Sequence, residues 1–282
     1  IIMNKNIEVR YAASPREVKD MDTNKLRNDF LISDIFDNNI IKWVYSHYDR
    51  YMTGGVSPNS NDVFLDIVDP IKSIFFLERR ELGIINVGKK GSVLVDGKKY
   101  TLNYKEALYI GRGVKNVSFR SDDCDNPAKF YLNSTLAHKS FPTKKISRDQ
   151  AEIVEMGSFE TANVRTIRKL IVNSIVKTCQ LQMGITELKP GSVWNTMPAH
   201  FHDRRMEVYF YFEIPENNAV CHFMGKPNET RHVWLLNDQA IISPPWSIHS
   251  GSGTCNYTFI WGMAGENLDY GDMDHCNIID LK

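Results

Sequence analysis

From about residue 70 onward the chain is written in short β-branched and aromatic runs broken by turn residues, and it is written that way twice. "FLERRELGIINV" (76–87) and "FHDRRMEVYFYF" (201–212) share a pair of arginines followed by alternating apolar positions. Downstream, "EALYIGRGVKNVSF" (106–119) keeps step with "QAIISPPWSIHSGS" (239–252). Apolar alternation bounded by Gly88, Gly91 and the Asp96-Gly97 pair reads as strands and hairpins, while helical periodicity is poor. Many short strands with regular turn signals make a sandwich or a barrel, and the repeat calls for two of them. The division is expected in the polar stretch around "KSFPTKKISRDQAE". That gives a first unit over residues 1–150 and a second over 151–282. Ahead of the strands, Ser14 as N-cap, Pro15 behind it and Glu17 three residues after the cap predict a short helix over 15–20. A second helix is expected over 23–29.

The two copies differ in one respect. Where the second has His200, His202, Glu207 and His249, the first has Phe75, Leu77, Leu82 and Asn116. The strands repeat; the ionisable groups do not. Residues two apart in a strand share a face, so His200 and His202 point together. Glu207 has the opposite parity and needs a turn or bulge at Asp203–Met206 to re-aim it. Pro244 and Pro245 force a turn ahead of His249. Histidine pairs of the form HxH arise by chance on surfaces. An HxH followed by a glutamate five residues on and a further His about forty later, all inside aromatic strands, is far more specific. Three imidazoles and a carboxylate form a mixed N/O donor set suited to Zn²⁺, Fe²⁺, Mn²⁺ or Ni²⁺. With positions left open for substrate, such a metal acts as a Lewis acid.

Composition narrows the partners. Lys+Arg and Asp+Glu are 34 each, so nothing favours nucleic acid or an anionic membrane surface, while a local cationic pocket for a small anion stays open. Five scattered cysteines with no CxxC argue against a disulfide framework or a cysteine zinc site and fit a reducing cytoplasm. No apolar run is long enough to span a bilayer, and no signal peptide is evident. Met3 is the expected native start, with Ile1 and Ile2 added ahead of it.

HxHxxxxE followed by PxxxH resembles the two metal motifs of the cupin superfamily. Longer stretches resemble one family within it, the 5-keto-4-deoxyuronate isomerases, also called 4-deoxy-L-threo-5-hexosulose-uronate ketol-isomerases. They include "DTNKLRNDFL", "VYSHYDR", "FFLERRELGIINVG", "PAKFY", "FPTKK", "TCQLQMGITEL", "GSVWNTMPAHFHDRRMEVYFYF", "ETRH", "SPPWSIHSG" and "YTFIWGMAGEN" with "DMDH", covering nearly the whole chain. Phe141 is a small departure that leaves the metal set untouched. The resemblance implies a mainly β bicupin, two cupin-like barrels with a few short helices, assembled as a homo-hexamer and acting in pectin and uronate breakdown. It implies that His200, His202, Glu207 and His249 ligate zinc, although iron or manganese fits the same donors. The first barrel is then scaffold and interface. The implied reaction interconverts 5-dehydro-4-deoxy-D-glucuronate and 3-deoxy-D-glycero-2,5-hexodiulosonate. An iron-dependent cupin dioxygenase and a non-catalytic sugar-binding cupin are the competing readings.

That reaction needs a proton carrier and a cation for the substrate carboxylate. Lys169 and Tyr209 are candidates for the catalytic group, against a solvated lysine and a core tyrosine. Arg204 and Arg205 are candidates for the carboxylate, against a structural ion pair, which the metal-free Arg79-Arg80 favours. Gln180 (or Gln182, which alternates with it) and Tyr211 are candidates for sugar contacts. Trp246 and Trp261 read equally as core. His222 and His232 read as ordinary hydrogen-bonded histidines. His47 packs at a subunit contact or enters a neighbouring site. His138 and His275 carry no signal.

Overall fold

The computed structural model of the protein describes residues 6–282. The expected start at Met3 lies outside them. The chain is mainly β, as the alternation predicts, and divides into two compact units. One comprises residues up to Arg10, Asp34–Glu152 and Leu170–Met183; the other comprises Tyr11–Ser33, Ile153–Lys169 and Gly184–Lys282. This grouping differs from a single cut near residue 150, because segments 11–33 and 170–183 each belong with the unit distant in sequence.

The larger sheet of the first unit runs in the order Ile7–Arg10, Lys42–Ser46, Met52–Val56, Phe130–Leu136, Arg80–Asn86, Ala107–Ile110, Lys144–Ile146. That of the second runs Glu152–Met156, Arg165–Ile171, Gln182–Leu188, Thr258–Gly265, Arg205–Phe212, Gln239–Ser243, Leu31–Ile32. Each unit adds a four-stranded sheet: Val63–Phe64, Val117–Ser121, Gly91–Val95, Lys98–Leu102 in one, and Trp194–Asn195, Ser250–Gly253, Val220–Lys226, Glu229–Leu235 in the other. The two orders correspond strand for strand, so the repeat read from two arginines extends through both units. No ladder among the described residues closes either unit into a barrel; each is built on a pair of sheets, to which the second adds the short ladder of His200–Phe201 with Asp274–His275.

The first core lies between its two sheets. Leu82, Ile84, Leu108 and Leu132 of the larger sheet join Val93, Val95, Leu102 and Phe119 of the smaller one in a single buried cluster. Phe119 meets Phe130 with ring centroids 5.5 Å apart. At Asp96-Gly97 both residues have positive φ, the geometry of a two-residue hairpin loop. On the other face of Arg80–Asn86, the buried Glu81 accepts hydrogen bonds from the backbone N–H groups of Cys179, Gln180 and Leu181 (2.8, 2.8 and 2.9 Å) and from the Tyr109 hydroxyl (2.7 Å). That carboxylate fastens segment 170–183 to its unit.

Both helices form where they were expected, the first on its expected cap. Pro15–Lys19 starts on the Ser14–Glu17 capping box, and Thr23–Phe30 on Asp22, whose side chain accepts from Lys25 N–H at 2.8 Å. The polar stretch expected as a linker is partly regular: Lys144–Ile146 is an edge strand pairing with Ala107–Ile110, and Glu152–Met156 is another strand. Edge strands tolerate polar faces, so composition misreads them as loops. All five cysteines are free. No helix among the described residues is long and apolar enough to cross a membrane.

Candidate metal centre

In the first unit Arg80–Asn86 turns Leu82 and Ile84 into the core. In the second, the corresponding strand Arg205–Phe212 turns Glu207, Tyr209 and Tyr211 into the same space. His200 precedes it in the two-residue strand His200–Phe201, which pairs with Asp274–His275. His202 follows, and a turn closed by Arg205 N–H on the His202 carbonyl (3.0 Å) reverses the chain. This is the re-aiming step that Glu207 parity requires, and it brings the carboxylate back to the imidazoles. His249 arrives from the turn after Pro244-Pro245, which Ser247 N–H closes on the Pro244 carbonyl at 2.9 Å.

The four side chains are buried, and one donor atom of each lies within 4.8 Å of the others. Glu207 Oε2 is 2.9 Å from His249 Nε2 and 3.2 Å from His202 Nε2, while His249 Nε2 is 3.0 Å from His200 Nε2. His202 Nδ1 donates to the Asp272 carbonyl at 2.7 Å, and His249 Nδ1 lies 3.3 Å from Ser243 Oγ. A proton on Nδ1 leaves the Nε2 lone pair facing inward, the arrangement by which outer partners orient metal-binding imidazoles. Glu207 Oε2 has no hydrogen-bond donor aimed at it despite two ring nitrogens beside it. Lone pairs therefore converge on one point, and the donor set fits a divalent metal held by His200, His202, Glu207 and His249.

The electrostatics agree. Burial works to raise the Glu207 carboxyl, but the His249 and His202 imidazoles outweigh it and hold it well below the usual carboxylate range. Burial, joined by repulsion from His249 and His202, pushes His200 well below the ordinary histidine value. Burial also lowers His249, against the pull of Glu207. A carboxylate that loses its proton easily beside imidazoles that burial disposes to lose theirs is the donor set that a cation needs.

His200, His202 and Glu207 border a cavity of about 490 Å³. One wall is a single face of the larger sheet, read strand by strand: Glu207 and Tyr209; Phe259, Trp261 and Met263; Thr186; Arg165, Ile167 and Lys169; Val154 and Met156. Gly184 completes that face. A Cβ there would sit 2.1 Å from Trp261 Cζ2 and 2.6 Å from the Arg168 carbonyl, so only glycine admits the indole. Tyr270, Met273 and His275 close the cavity from the C-terminal loop.

Several sequence candidates are placed differently from expectation. Arg204 forms an ion pair with Asp272 (2.6–2.9 Å) and Asp274 (2.8 Å) and is absent from the cavity lining. Its guanidinium is the main reason that the Asp272 carboxyl lies far below its ordinary value. Arg205 is buried and donates through Nη2 to the Asp272 carbonyl (2.7 Å), the same oxygen that holds His202. Gln180 belongs to the first unit, where its backbone N–H is held by Glu81 and its amide donates to the Leu136 carbonyl at 3.0 Å. Gln182 is buried but outside the lining. Tyr211 sits deeper than the cavity, its hydroxyl 2.9 Å from His222 Nδ1. Tyr209, Lys169 and Trp261 do line it, and Trp246 does not. His222 is the hydrogen-bonded core histidine expected, and His232 lies exposed on its strand. Sequence reasoning missed Arg165 and His275. The His275 ring is 5.7 Å from that of His200, and the only sequence sign was its place in the family-like "DMDH".

Residues 70–278 match the profile described as the KduI/IolB family, a span that contains all four donors. The chain is 61% identical over 280 residues to the 4-deoxy-L-threo-5-hexosulose-uronate ketol-isomerase of Formosa agariphila, covering 99% of this chain and 100% of that one. It is 57% identical, with the same coverage, to 4-deoxy-L-threo-5-hexosulose-uronate ketol-isomerase 1 of Bacteroides thetaiotaomicron. An IolB-like protein from Salmonella typhimurium shares the fold at 12% identity, with a TM-score of 0.66 over 80% of this chain and 87% of that one. With the strand order, the inward-facing quartet and end-to-end sequence identity in agreement, the chain belongs to the KduI/IolB family.

Proposed function

We propose that this protein is a metal-dependent ketol-isomerase interconverting 5-dehydro-4-deoxy-D-glucuronate and 3-deoxy-D-glycero-2,5-hexodiulosonate, with zinc as the metal. The observation that carries the reading is a buried His₃Glu set at one end of a cavity, in a chain aligned end to end with ketol-isomerases. The same relatives weigh against a dioxygenase or a non-catalytic sugar binder. Each two-sheet unit is read as a cupin-type module, the first serving as scaffold and interface. A cytoplasmic homo-hexamer accompanies this reading, and light scattering tests the assembly.

The reaction moves a carbonyl from C1 to C2, so a proton leaves C2 and one arrives at C1. When bound, the metal supplies a Lewis acid that draws off the negative charge developing on the substrate oxygens. His200, His202, Glu207 and His249 would hold it. The chain does the rest. Apolar walls of Ile167, Phe259, Trp261 and Met263 restrict water at the reacting carbons. Burial pushes the Tyr209 hydroxyl well above its ordinary value, so it remains protonated and keeps a proton to donate; Thr196 Oγ1 lies 3.0 Å from it. Tyr209 is thereby a hydrogen-bond donor to the sugar rather than the base.

The test is incubation of the metal-loaded protein with the deoxy-keto-uronate in D₂O, followed by NMR, with metal analysis and an oxygen electrode in parallel. Deuterium entering at the carbon beside the carbonyl, without oxygen uptake, is the expected result. Oxygen consumption without isomerisation overturns the reading.

A further inference from the structure

The two units also differ one strand row beyond the candidate metal donors. In the first unit Ile84, Leu132, Gly54 and Trp43 are successive partners across the larger sheet. A Cβ on Gly54 would meet the Lys42 carbonyl at 2.2 Å and the Trp43 ring at 2.6 Å. In the second unit the same row begins with Tyr209 paired to Trp261, and Gly184 lies under that indole against the Arg168 carbonyl. Arg168 thus corresponds to Lys42, and Lys169 to Trp43. Trp43 is a core residue, 3% exposed and stacked on Phe76 at 5.1 Å. Lys169 instead lines the cavity, its ammonium 4.2 Å from the centre of the Tyr270 ring. A cation has replaced a core indole at a position facing the same space as the metal donors.

We propose that Lys169 is the residue that binds the carboxylate of the substrate and selects acids over neutral sugars. Arg165, on the same face of the same strand, strengthens the field; with Lys169 it is the basic pair of the lining, against one carboxylate, Glu207. Tyr270 holds the ammonium in the wall by a cation–π contact. Three strand spacings separate the Glu207 strand from the Lys169 strand, about 14 Å at roughly 4.8 Å each. Side chains reaching in from both ends shorten that to the scale of a six-carbon chain, carbonyl end at the quartet and carboxylate at Lys169. Lys169 is a binding residue here, not the proton carrier. The identity of the acid rests on the isomerase reading; the selection for a carboxylate does not.

The test uses the metal-loaded full chain with Lys169→Met and Lys169→Arg. With the deoxy-keto-uronate, Lys169→Met raises KM roughly 10- to 100-fold, as expected for a lost charge-assisted hydrogen bond, and Lys169→Arg restores most of it. The loss falls mainly in KM, and metal content stays at one ion per chain. Calorimetry with D-glucuronate and D-glucose provides a second arm that needs no turnover: wild type prefers the acid, and Lys169→Met abolishes the preference. An unchanged KM, a loss confined to kcat, or an acid preference that survives Lys169→Met overturns the proposal. Absence of isomerisation by wild type, with the acid preference intact and sensitive to Lys169, refutes the isomerase reading instead.

Discussion

Replacing Arg204 by methionine separates two accounts of the Arg204-Arg205 pair. Were Arg204 a carboxylate-binding residue, KM would rise and metal would stay. The structure gives it another task. Its guanidinium makes three contacts of 2.6–2.9 Å with Asp272 and one of 2.8 Å with Asp274. The Asp272 main-chain carbonyl in turn fixes His202 Nδ1 at 2.7 Å. Loosening that loop removes the outer partner of one ligand, a change worth roughly 10- to 100-fold in metal affinity. Arg204 is partly exposed, so little effect on global stability is expected. Competition with a chelating zinc indicator gives the affinity, and steady-state kinetics at saturating zinc give KM. Metal binding weakens by that factor while KM, once the site is filled, changes less than about threefold. Asp272→Asn gives a similar defect, and the double variant is no worse than either single one, because both cut the same link. A raised KM with wild-type metal affinity would refute the reasoning and return Arg204 to the substrate.

Two further outcomes follow. Glu81→Gln puts an amide NH₂ among four donors in the first unit, so it lowers stability by about 3 kcal/mol in urea titrations while leaving metal affinity within about twofold; an equal loss of metal would contradict the independence of the two sites. Burial pushes His222 down to about 3 from 6.5, so below pH 6.5 the unfolded chain binds a proton that the folded chain refuses. Stability is therefore flat above that value and falls as pH drops toward 3. Between pH 7 and pH 5 the metal-free wild type should lose about 2 kcal/mol more than His222→Gln, and parallel pH profiles would show that His222 is not buried neutral.

What the sequence disclosed, it disclosed by periodicity and by internal difference. Alternation found the strands, and the turn before Glu207 followed from parity alone. The candidate metal donors stood out because Leu77 and Leu82 hold the places of His202 and Glu207 in the first copy. The far wall of the cavity was not legible in the same way. Arg165 and Lys169 share one strand of the larger sheet, whereas Tyr270 and His275 come from the C-terminal segment far along the chain, and only the fold brings them to one cavity. Gln180 misled because its neighbours in sequence continue into the second unit, whereas the Glu81 carboxylate draws its backbone into the first. Closure was equally hidden, since alternation is the same for a barrel and for two facing sheets.

The arginine repeat finds its explanation at this level. Arg80 and Arg205 both open the fifth strand in the order of their sheet, and both are buried. Arg80 Nη2 donates to the Arg50 carbonyl at 2.6 Å and the Ser134 carbonyl at 2.8 Å, clamping one loop onto the sheet. Arg205 makes the equivalent clamp on the Asp272 carbonyl. Burial lowers both guanidinium values, and each is tolerated where carbonyl dipoles face it. In the first unit the clamp ends at a loop. In the second, the clamped carbonyl also receives the His202 Nδ1 proton and so leaves Nε2 facing the Glu207 carboxylate. The arginine is thus shared architecture. The candidate metal site differs from its counterpart in what the clamped loop touches, with imidazoles and a carboxylate standing where the first unit places Phe75, Leu77, Leu82 and Asn116.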